Sequence, residues 1–174
     1  MSIPSGKLVI LVLVPVIALF GLLIYLSFQL RGQGVVQPVE YSHKVHIETA
    51  GMTCTDCHIY ADKAASATIP NIDVCQTCHA DEPVSKSPEE LKVINHVKEE
   101  KEIPWRQIYK VPDHVYFSHR RHVVDGAVEC SECHGAVAEA AGPVTYQIIP
   151  VTMENCLNCH KQREVTTDCL ACHR

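Results

Sequence analysis

The chain has 174 residues, 47% of them hydrophobic, and a formal net charge of −5 at pH 7. This length allows one or two small domains. There is no basic run of the kind that binds nucleic acid, so a nucleic-acid partner is not expected. Ten cysteines are unusual in so short a chain, and their spacing is the strongest functional signal.

The first predicted element is an uncharged apolar segment, LVILVLVPVIALFGLLIYLSFQL, from Leu8 to Leu30. It is long enough for a helix that crosses a bilayer, and a membrane helix tolerates its internal Pro15. A cleaved signal peptide has an apolar region of only about 7–15 residues, followed by a small-residue cleavage site. We therefore predict that residues 1–30 are an N-terminal signal anchor and transmembrane helix. The polar segment 31–40, RGQGVVQPVE, is predicted to be a tether.

Beyond the tether, all ten cysteines fall in five copies of C-x-x-C-H, the attachment motif of c-type haem. Two thiols three residues apart reach the two vinyl positions of one porphyrin, and the adjoining histidine becomes the proximal iron ligand. No cysteine is left over, which argues against disulfides and zinc sites. We predict five covalently bound haem c groups. The attachment residues are Cys54, Cys57, Cys75, Cys78, Cys130, Cys133, Cys156, Cys159, Cys169 and Cys172, and the proximal ligands are His58, His79, His134, His160 and His173.

Residues 41–174 must therefore accommodate five haems, with roughly 27 residues for each, too few for an ordinary hydrophobic core as well. The predicted fold is mostly irregular and α-helical. It consists of an N-terminal transmembrane helix and a small multihaem cytochrome c domain, whose short helices surround the porphyrins. Covalent haem is attached on the outer side of an energy-transducing membrane. We therefore expect a single-pass protein of the bacterial inner membrane with its haem domain on the periplasmic side.

An internal repeat organises the haem-bearing part. YSHKVHIETAGMTCTDCH (41–58) and FSHRRHVVDGAVECSECH (117–134) align without a gap at an offset of 76 residues. Each copy continues into a further haem motif, and the second copy adds a fifth motif at Cys169. We predict a dihaem module over 41–80 and a trihaem module over 114–174.

The residues between the modules, 81–113, are predicted to be a linker that contains a solvated helix from about Pro88 to Lys101. Ser87 is its expected N-cap, Pro88 its first residue and Glu90 the partner of Ser87 in a capping box. The helix is expected to end before Pro104.

Six histidines remain after the proximal ligands are assigned, and four of them form two H-x-x-H pairs that repeat with the offset. A haem that only carries electrons needs a second axial ligand, whereas an open position invites substrate. We predict that His43, His46, His119 and His122 are distal ligands. In each pair, one is expected to serve the haem of its own motif and the other a neighbouring haem.

The fifth distal ligand is left among Met153, His114 and His96. Met153 is favoured because it lies three residues before Cys156, in the module that has three haems and only two spare histidines. A methionine ligand would raise the potential of its haem. The alternative role of Met153 is packing against a haem face.

Two strings carry a resemblance to a known family: PWRQIYKVPDHVYFSHRRHVVDGAVECSECHG (104–135) and TMENCLNCHK (152–161). They resemble the multihaem cytochromes of the c3/c7-like group, and within it the pentahaem cytochrome c subunit of alternative complex III. The resemblance implies an electron-transfer subunit that is not itself the catalyst. It also implies several partners: an iron–sulfur subunit similar to molybdopterin oxidoreductases, quinol-binding membrane subunits and a monohaem cytochrome c or soluble acceptor.

Two other functions remain open. One is a stand-alone quinol dehydrogenase with one membrane anchor and several haems near the membrane. The other is a multihaem reductase with one open haem. The ten-residue tether argues weakly against the first. For the second, an open haem position is not required, because the six remaining histidines and Met153 outnumber the five haems.

Overall fold

The computed structural model describes residues 5–31 and 34–173, and side chains in the N-terminal helix from 13 to 27. The chain divides into two compact units, Met1–Gly34 and Val35–Arg174. The first unit contains one helix, α1 (Ser5–Arg31), which includes the apolar segment identified in the sequence. Among the residues whose side chains are described, no helix is both long and apolar enough to cross a membrane.

The second unit is built from short helices and irregular segments. Its helices are α2 (Cys54–Cys57), α3 (Ile72–Gln76), α4 (Pro88–Lys98), α5 (Cys130–His134), α6 (Met153–Gln162) and α7 (Cys169–Cys172). Two π-helical turns, Val45–Thr49 and Arg121–Asp125, and a 3-10 turn, Val137–Glu139, complete it. The described residues form no strand, although an isolated antiparallel bridge joins Val115 to His173. The mostly irregular and helical character predicted from the sequence is confirmed.

Three of the five helices that carry haem motifs, α2, α5 and α7, begin at the first cysteine, directly after a capping residue. Thr53 and Glu129 form capping boxes with Asp56 and Glu132 at the starts of α2 and α5. The Asp168 carboxylate accepts a hydrogen bond from the Leu170 N–H at the start of α7. Such caps satisfy N–H groups that a short helix leaves free. They fix where each helical turn begins, and so they orient the two cysteines of the motif.

The protein provides only a small apolar core. Val39, Ile72, Val97 and Ile103 form one buried cluster, against which Trp105 packs. Only six described residues are buried in total, the other two being Ile94 and Glu90. The second unit, Val35–Arg174 (unit 2), therefore buries too few side chains to be stabilised by a protein core, as an ordinary domain of this size is.

The predicted linker helix is present as α4, with Ser87 as its N-cap and Pro88 in its first turn. Two details of the prediction are wrong. The helix is not fully solvated, because Glu90, Ile94 and Val97 share one face by helical spacing and that face is buried. Nor does Glu90 complete a capping box, because its carboxylate bonds to other groups, described below.

Candidate haem-binding sites

Both copies of the repeat fold in the same way around their H-x-x-H pairs. In each pair the second histidine lies in a π-helical turn and the first lies two residues before that turn; turns of this type are often found at functional sites. In the first copy the Tyr41 ring stacks on His46, with ring centroids 4.4 Å apart, and meets His43 edge-on at 4.9 Å. In the second copy Phe117 contacts His122 and His119 in the same way, at 4.6 and 4.8 Å. The repeat seen in the sequence is thus a repeat of side-chain geometry.

Five of the candidate ligand histidines contact a backbone carbonyl oxygen through their Nδ1 atom. In both π-helical turns the second histidine of the pair contacts a serine carbonyl oxygen at 2.8 Å, His46 with Ser42 and His122 with Ser118. The same type of contact joins His58 to Thr68 (3.1 Å), His119 to Ala65 (3.1 Å) and His160 to Thr166 (2.7 Å). An Nδ1–H held by a carbonyl fixes the tautomer and leaves Nε2 as the metal ligand.

Four of the five proximal histidines lie beside a second histidine ring. The centroid separations are 6.3 Å for His79 and His46, 6.4 Å for His134 and His119, 6.1 Å for His160 and His122, and 5.6 Å for His173 and His114. Two imidazoles that share one metal through bonds of about 2 Å have centroids roughly 6 Å apart. These separations fit two axial ligands on one iron, so the residues present fit the haem that the motifs imply.

His43 is the remaining candidate for the remaining proximal ligand, His58. Burial, then the proximity of His58 and His46, lowers the pKa of His43 to about 4. Its Nδ1 is buried, and no described residue forms a hydrogen bond with it. In both copies, the first histidine of the H-x-x-H pair therefore lies near the histidine of the C-x-x-C-H motif in the same copy. The second histidine lies near the histidine of the C-x-x-C-H motif that follows.

His114 is brought to the fifth motif by backbone pairing at the end of the chain. Val115 and His173 form the isolated antiparallel bridge, and the Tyr116 N–H donates to the Cys172 carbonyl at 2.8 Å. The planes of the His114 and His173 rings are consequently nearly parallel, with an interplanar angle of 20° and centroids 5.6 Å apart. The signal for this contact in the sequence is weak, because a single histidine 59 residues away from its partner belongs to no motif.

The other two candidates for the fifth distal ligand are placed differently. Met153 is the first residue of α6, and its side chain is 61% exposed. His96 lies on α4, where its Nδ1 contacts the Lys101 carbonyl oxygen at 3.2 Å. The structure describes no ring contact between His96 and a proximal histidine.

Neighbouring cysteines indicate the spatial order of the five motifs. Burial raises the pKa of several of these thiols, and in each case a cysteine of another motif raises it further. These neighbours are Cys75 with Cys57, Cys130 with Cys54, Cys133 with Cys159, and Cys156 with Cys172. The motifs that begin at Cys75, Cys54, Cys130, Cys156 and Cys169 therefore form a row in that order.

The two copies of the repeat meet in the middle of this row. The residues after the first motif accept hydrogen bonds from the second H-x-x-H segment, with His119 N–H bound to the Ala65 carbonyl at 2.9 Å and Arg120 N–H to that of Ala64 at 3.0 Å. On the other side, the Arg163 guanidinium binds both carboxylate oxygens of Glu132 at 2.7 Å, which ties the end of α6 to α5. Backbone and ionic contacts thus hold adjacent motifs together.

One proximal histidine has a different partner on Nδ1. The His79 Nδ1 lies 2.8 Å from Glu90 Oε1, and the Glu90 side chain is only 4% exposed. The same carboxylate accepts hydrogen bonds from the Val84 N–H (2.7 Å), the Ser85 N–H (2.8 Å) and the Ser85 hydroxyl. Burial by itself raises the pKa of Glu90, but these bonds lower it to about 2. The sequence pattern predicts a capping box for Glu90, and no motif indicates its contact with His79.

Comparison with known proteins gives two family matches, one for each half of the chain. Residues 28–105 match the class III cytochrome C family, and residues 115–174 match cytochrome c7 and related cytochrome c. The chain is also similar to the multiheme cytochrome c subunit of menaquinone reductase from Nitratidesulfovibrio vulgaris (strain Hildenborough). The two are 33% identical over 162 residues, which covers 79% of this chain and 77% of the relative.

Proposed function

Since the chain belongs to the multihaem cytochrome c family, we propose that it is an electron-transfer subunit of a quinone-linked oxidoreductase complex. When bound, each haem supplies an iron that alternates between the ferrous and ferric states. The observation that carries the proposal is the pairing of histidine rings at 5.6 to 6.4 Å. Two histidines on one iron leave no open position for a substrate, which favours electron transfer over catalysis.

The ligand sets follow from the same contacts. The proposed axial pairs are His58 with His43, His79 with His46, His134 with His119, His160 with His122, and His173 with His114. We propose His114 in place of Met153, which the sequence favoured, because the His114 ring lies 5.6 Å from the His173 ring. The row of motifs, from the one at Cys75 to the one at Cys169, supports a relay with two ends.

The setting of the relay is a proposal that rests on the sequence alone. We propose that the apolar segment Leu8–Leu30 anchors the chain in the bacterial inner membrane, with the haem domain on the periplasmic side. The proposed partners are an iron–sulfur subunit similar to molybdopterin oxidoreductases, quinol-binding membrane subunits and a monohaem cytochrome c. In an assembly like alternative complex III, electrons would pass from the quinol-oxidising partner through this chain to a downstream cytochrome or soluble acceptor.

A second direction of electron flow is favoured by the name of the relative, which is a subunit of a menaquinone reductase. In that case this chain would deliver electrons to a partner that reduces menaquinone. Both directions use the same histidine pairs, so the ligand assignment does not depend on the choice.

The proposed function can be tested on the native assembly. Membranes are solubilised in mild detergent, intact complexes are separated, and bands that contain this chain are identified by staining for covalent haem. We expect the chain to run in a large complex with an iron–sulfur subunit. Reduction of its haems by menaquinol would support quinol oxidation, whereas menaquinone reduction by the prereduced complex would support the opposite direction.

Two results would contradict the proposal. Migration of the chain alone, together with its direct reduction by quinol, would favour a stand-alone quinol dehydrogenase. A high-spin haem in the native protein, detected by electron paramagnetic resonance (EPR), would favour a reductase with an open haem.

A further inference from the structure

His79 differs from His58 and His160, two other proposed proximal ligands, in the charge of its Nδ1 partner. The Nδ1 atoms of His58 and His160 contact backbone carbonyl oxygens, which are neutral dipoles. The Nδ1 of His79 instead contacts a Glu90 carboxylate oxygen at 2.8 Å. The haem attached at Cys75 and Cys78 therefore has an axial ligand whose electron density is set by a neighbouring acidic side chain.

We propose that Glu90 lowers the reduction potential of the haem attached at Cys75 and Cys78. A carboxylate that accepts the Nδ1–H hydrogen bond increases the basicity of the imidazole, as carboxylate–histidine pairs do at other metal sites. A more basic axial ligand donates more charge to iron and stabilises the ferric state relative to the ferrous state. Glu90 is thus a positioning and tuning residue that acts through His79. This inference depends on the ligation of haem by His79 proposed above.

The surroundings of Glu90 keep this interaction strong. Its side chain is 4% exposed, so little water screens its charge. Each of its oxygens has a fixed set of donors: Oε1 accepts from Val84 N–H and His79, and Oε2 from the Ser85 N–H and hydroxyl. The helix α4 supplies the carboxylate, and the loop before it supplies the donors that hold it.

The position of this haem in the row determines which direction of electron transfer a lowered potential would favour. Its motif is at one end of the row, next to the motif that begins at Cys54. A haem of lowered potential holds an electron less tightly than an otherwise equal neighbour. Glu90 therefore favours electron movement from the Cys75 end of the relay towards the Cys54 motif and the rest of the row.

The test is a spectroelectrochemical titration of the haem-loaded full chain and its Glu90→Gln variant. Glutamine keeps the shape of the side chain and an acceptor oxygen but removes the charge. We expect one haem of five to shift to a more positive potential, with the other four unchanged. The matched control is Glu99→Gln, which removes an exposed charge at the end of the same helix, where Glu99 pairs with Lys101. An equal shift in both variants, or no shift in Glu90→Gln, would overturn the proposal.

A second variant decides the question if Glu90→Gln does not fold. Ser85→Ala removes the hydroxyl that donates to the Glu90 carboxylate but leaves the negative charge. The hydrogen bond from His79 Nδ1–H to Glu90 should then become stronger. The expected shift is of opposite sign, towards a more negative potential for the same haem. The same potential in Ser85→Ala and in the wild type, with all haems attached, would count against a role for Glu90.

A measurement on the wild-type protein is independent of any variant. Near-infrared magnetic circular dichroism reports the charge-transfer band of each low-spin haem, and one band in five should be displaced to higher energy. A single common band position would contradict the proposal. Failure of the proposed function is seen separately, as fewer than five haems in a pyridine haemochrome assay or as a high-spin haem in the wild type.

Discussion

Each candidate axial histidine has two ring nitrogens with separate roles. Where Nδ1 is bound to a carbonyl oxygen, as in His46 and His122, the folded backbone fixes the direction of the ring and leaves Nε2 free. His114 has no such contact described on Nδ1, and its place is set by the backbone bridge to His173.

Replacement of His114 tests the assignment of the fifth distal ligand. In His114→Ala, one of the five haems should lose its second axial ligand and become high-spin, which EPR detects. The control Met153→Leu should leave all haems low-spin, because His114 is the residue whose ring lies beside that of His173. The opposite pattern, with high-spin haem only in the Met153 variant, would restore the assignment favoured by the sequence.

Gly135, next to the proximal ligand His134, occupies a backbone conformation open to glycine alone. Its φ is 66° and its ψ is −154°, and an added Cβ would lie 2.6 Å from Ile148 Cγ2. Gly135→Ala should lower the free energy of unfolding by about 1–3 kcal/mol, measured by urea denaturation of the haem-loaded protein. Gly142→Ala is the control, since nothing lies within 4 Å of its added Cβ. Equal stability of the two variants would contradict this reading of the site.

The Glu90 carboxylate should make stability depend on pH. Burial alone would raise its pKa, but its hydrogen bonds lower it from 4.5 to about 2 in the folded state. The stabilisation is therefore complete above pH 4.5 and is lost as pH falls from 4.5 towards 2; it amounts to on the order of 3 kcal/mol. Urea denaturation between pH 6 and pH 3 should show a shallower fall of stability in Glu90→Gln than in the wild type. Parallel pH profiles would rule out this contribution.

At the scale of elements, one small structural motif occurs twice. An aromatic residue, two histidines and a π-helical turn recur at Tyr41–Thr49 and at Phe117–Asp125 with nearly identical ring distances. The wider π-helical turn directs the two histidines towards proximal ligands of two different motifs. A short element thereby fixes two neighbouring sites at once, which explains how so few residues can organise five motifs.

The bridge between residues 114–116 and 172–173 should be as important to the fifth site as His114 itself. Tyr116→Pro removes the N–H that donates to the Cys172 carbonyl at 2.8 Å, without changing either histidine. It should produce the same high-spin haem as His114→Ala in EPR spectra. Tyr116→Ala keeps the N–H and should retain a low-spin fifth haem. A low-spin spectrum for the proline variant would show that the bridge is dispensable.

At the scale of the whole molecule, the unit Val35–Arg174 has only a small apolar core among its described residues. Six described residues are buried, and apolar side chains such as Leu170 and Tyr146 are 82% and 65% exposed in the protein alone. Porphyrins that fill the interior would cover surface of this kind and contribute the burial that the chain lacks.

Removal of the haems should therefore remove the fold of unit 2. The chain produced without haem attachment should show no cooperative thermal transition by circular dichroism, whereas the haem-loaded chain should show one. A cooperative transition of the haem-free chain similar to that of the loaded protein would mean that the small Val39–Ile103 cluster is sufficient. Protease resistance of the two forms, compared at one temperature, provides an independent check.

Much of the candidate site could be predicted because its signals are local in the sequence. The C-x-x-C-H spacing and the offset of 76 residues predicted the short helices and the equivalence of the two copies. The Ser87–Pro88 start of α4 was also correct. The buried face of α4 was missed because its charged residues suggested a solvated helix, although Ile94 and Val97 already had helical spacing.

The sequence by itself determined the family, the C-x-x-C-H motifs and the H-x-x-H pairs, since each is a short pattern whose chemistry requires nearby residues. Only the tertiary structure decided which histidine lies beside which, including His114 beside His173, and that Glu90 contacts His79. The residues in these contacts are separated in the sequence by different distances that match no helix, strand or repeat spacing. The backbone bridge, the π-helical turns and the burial of α4 bring them together, and these features exist only once the chain has folded.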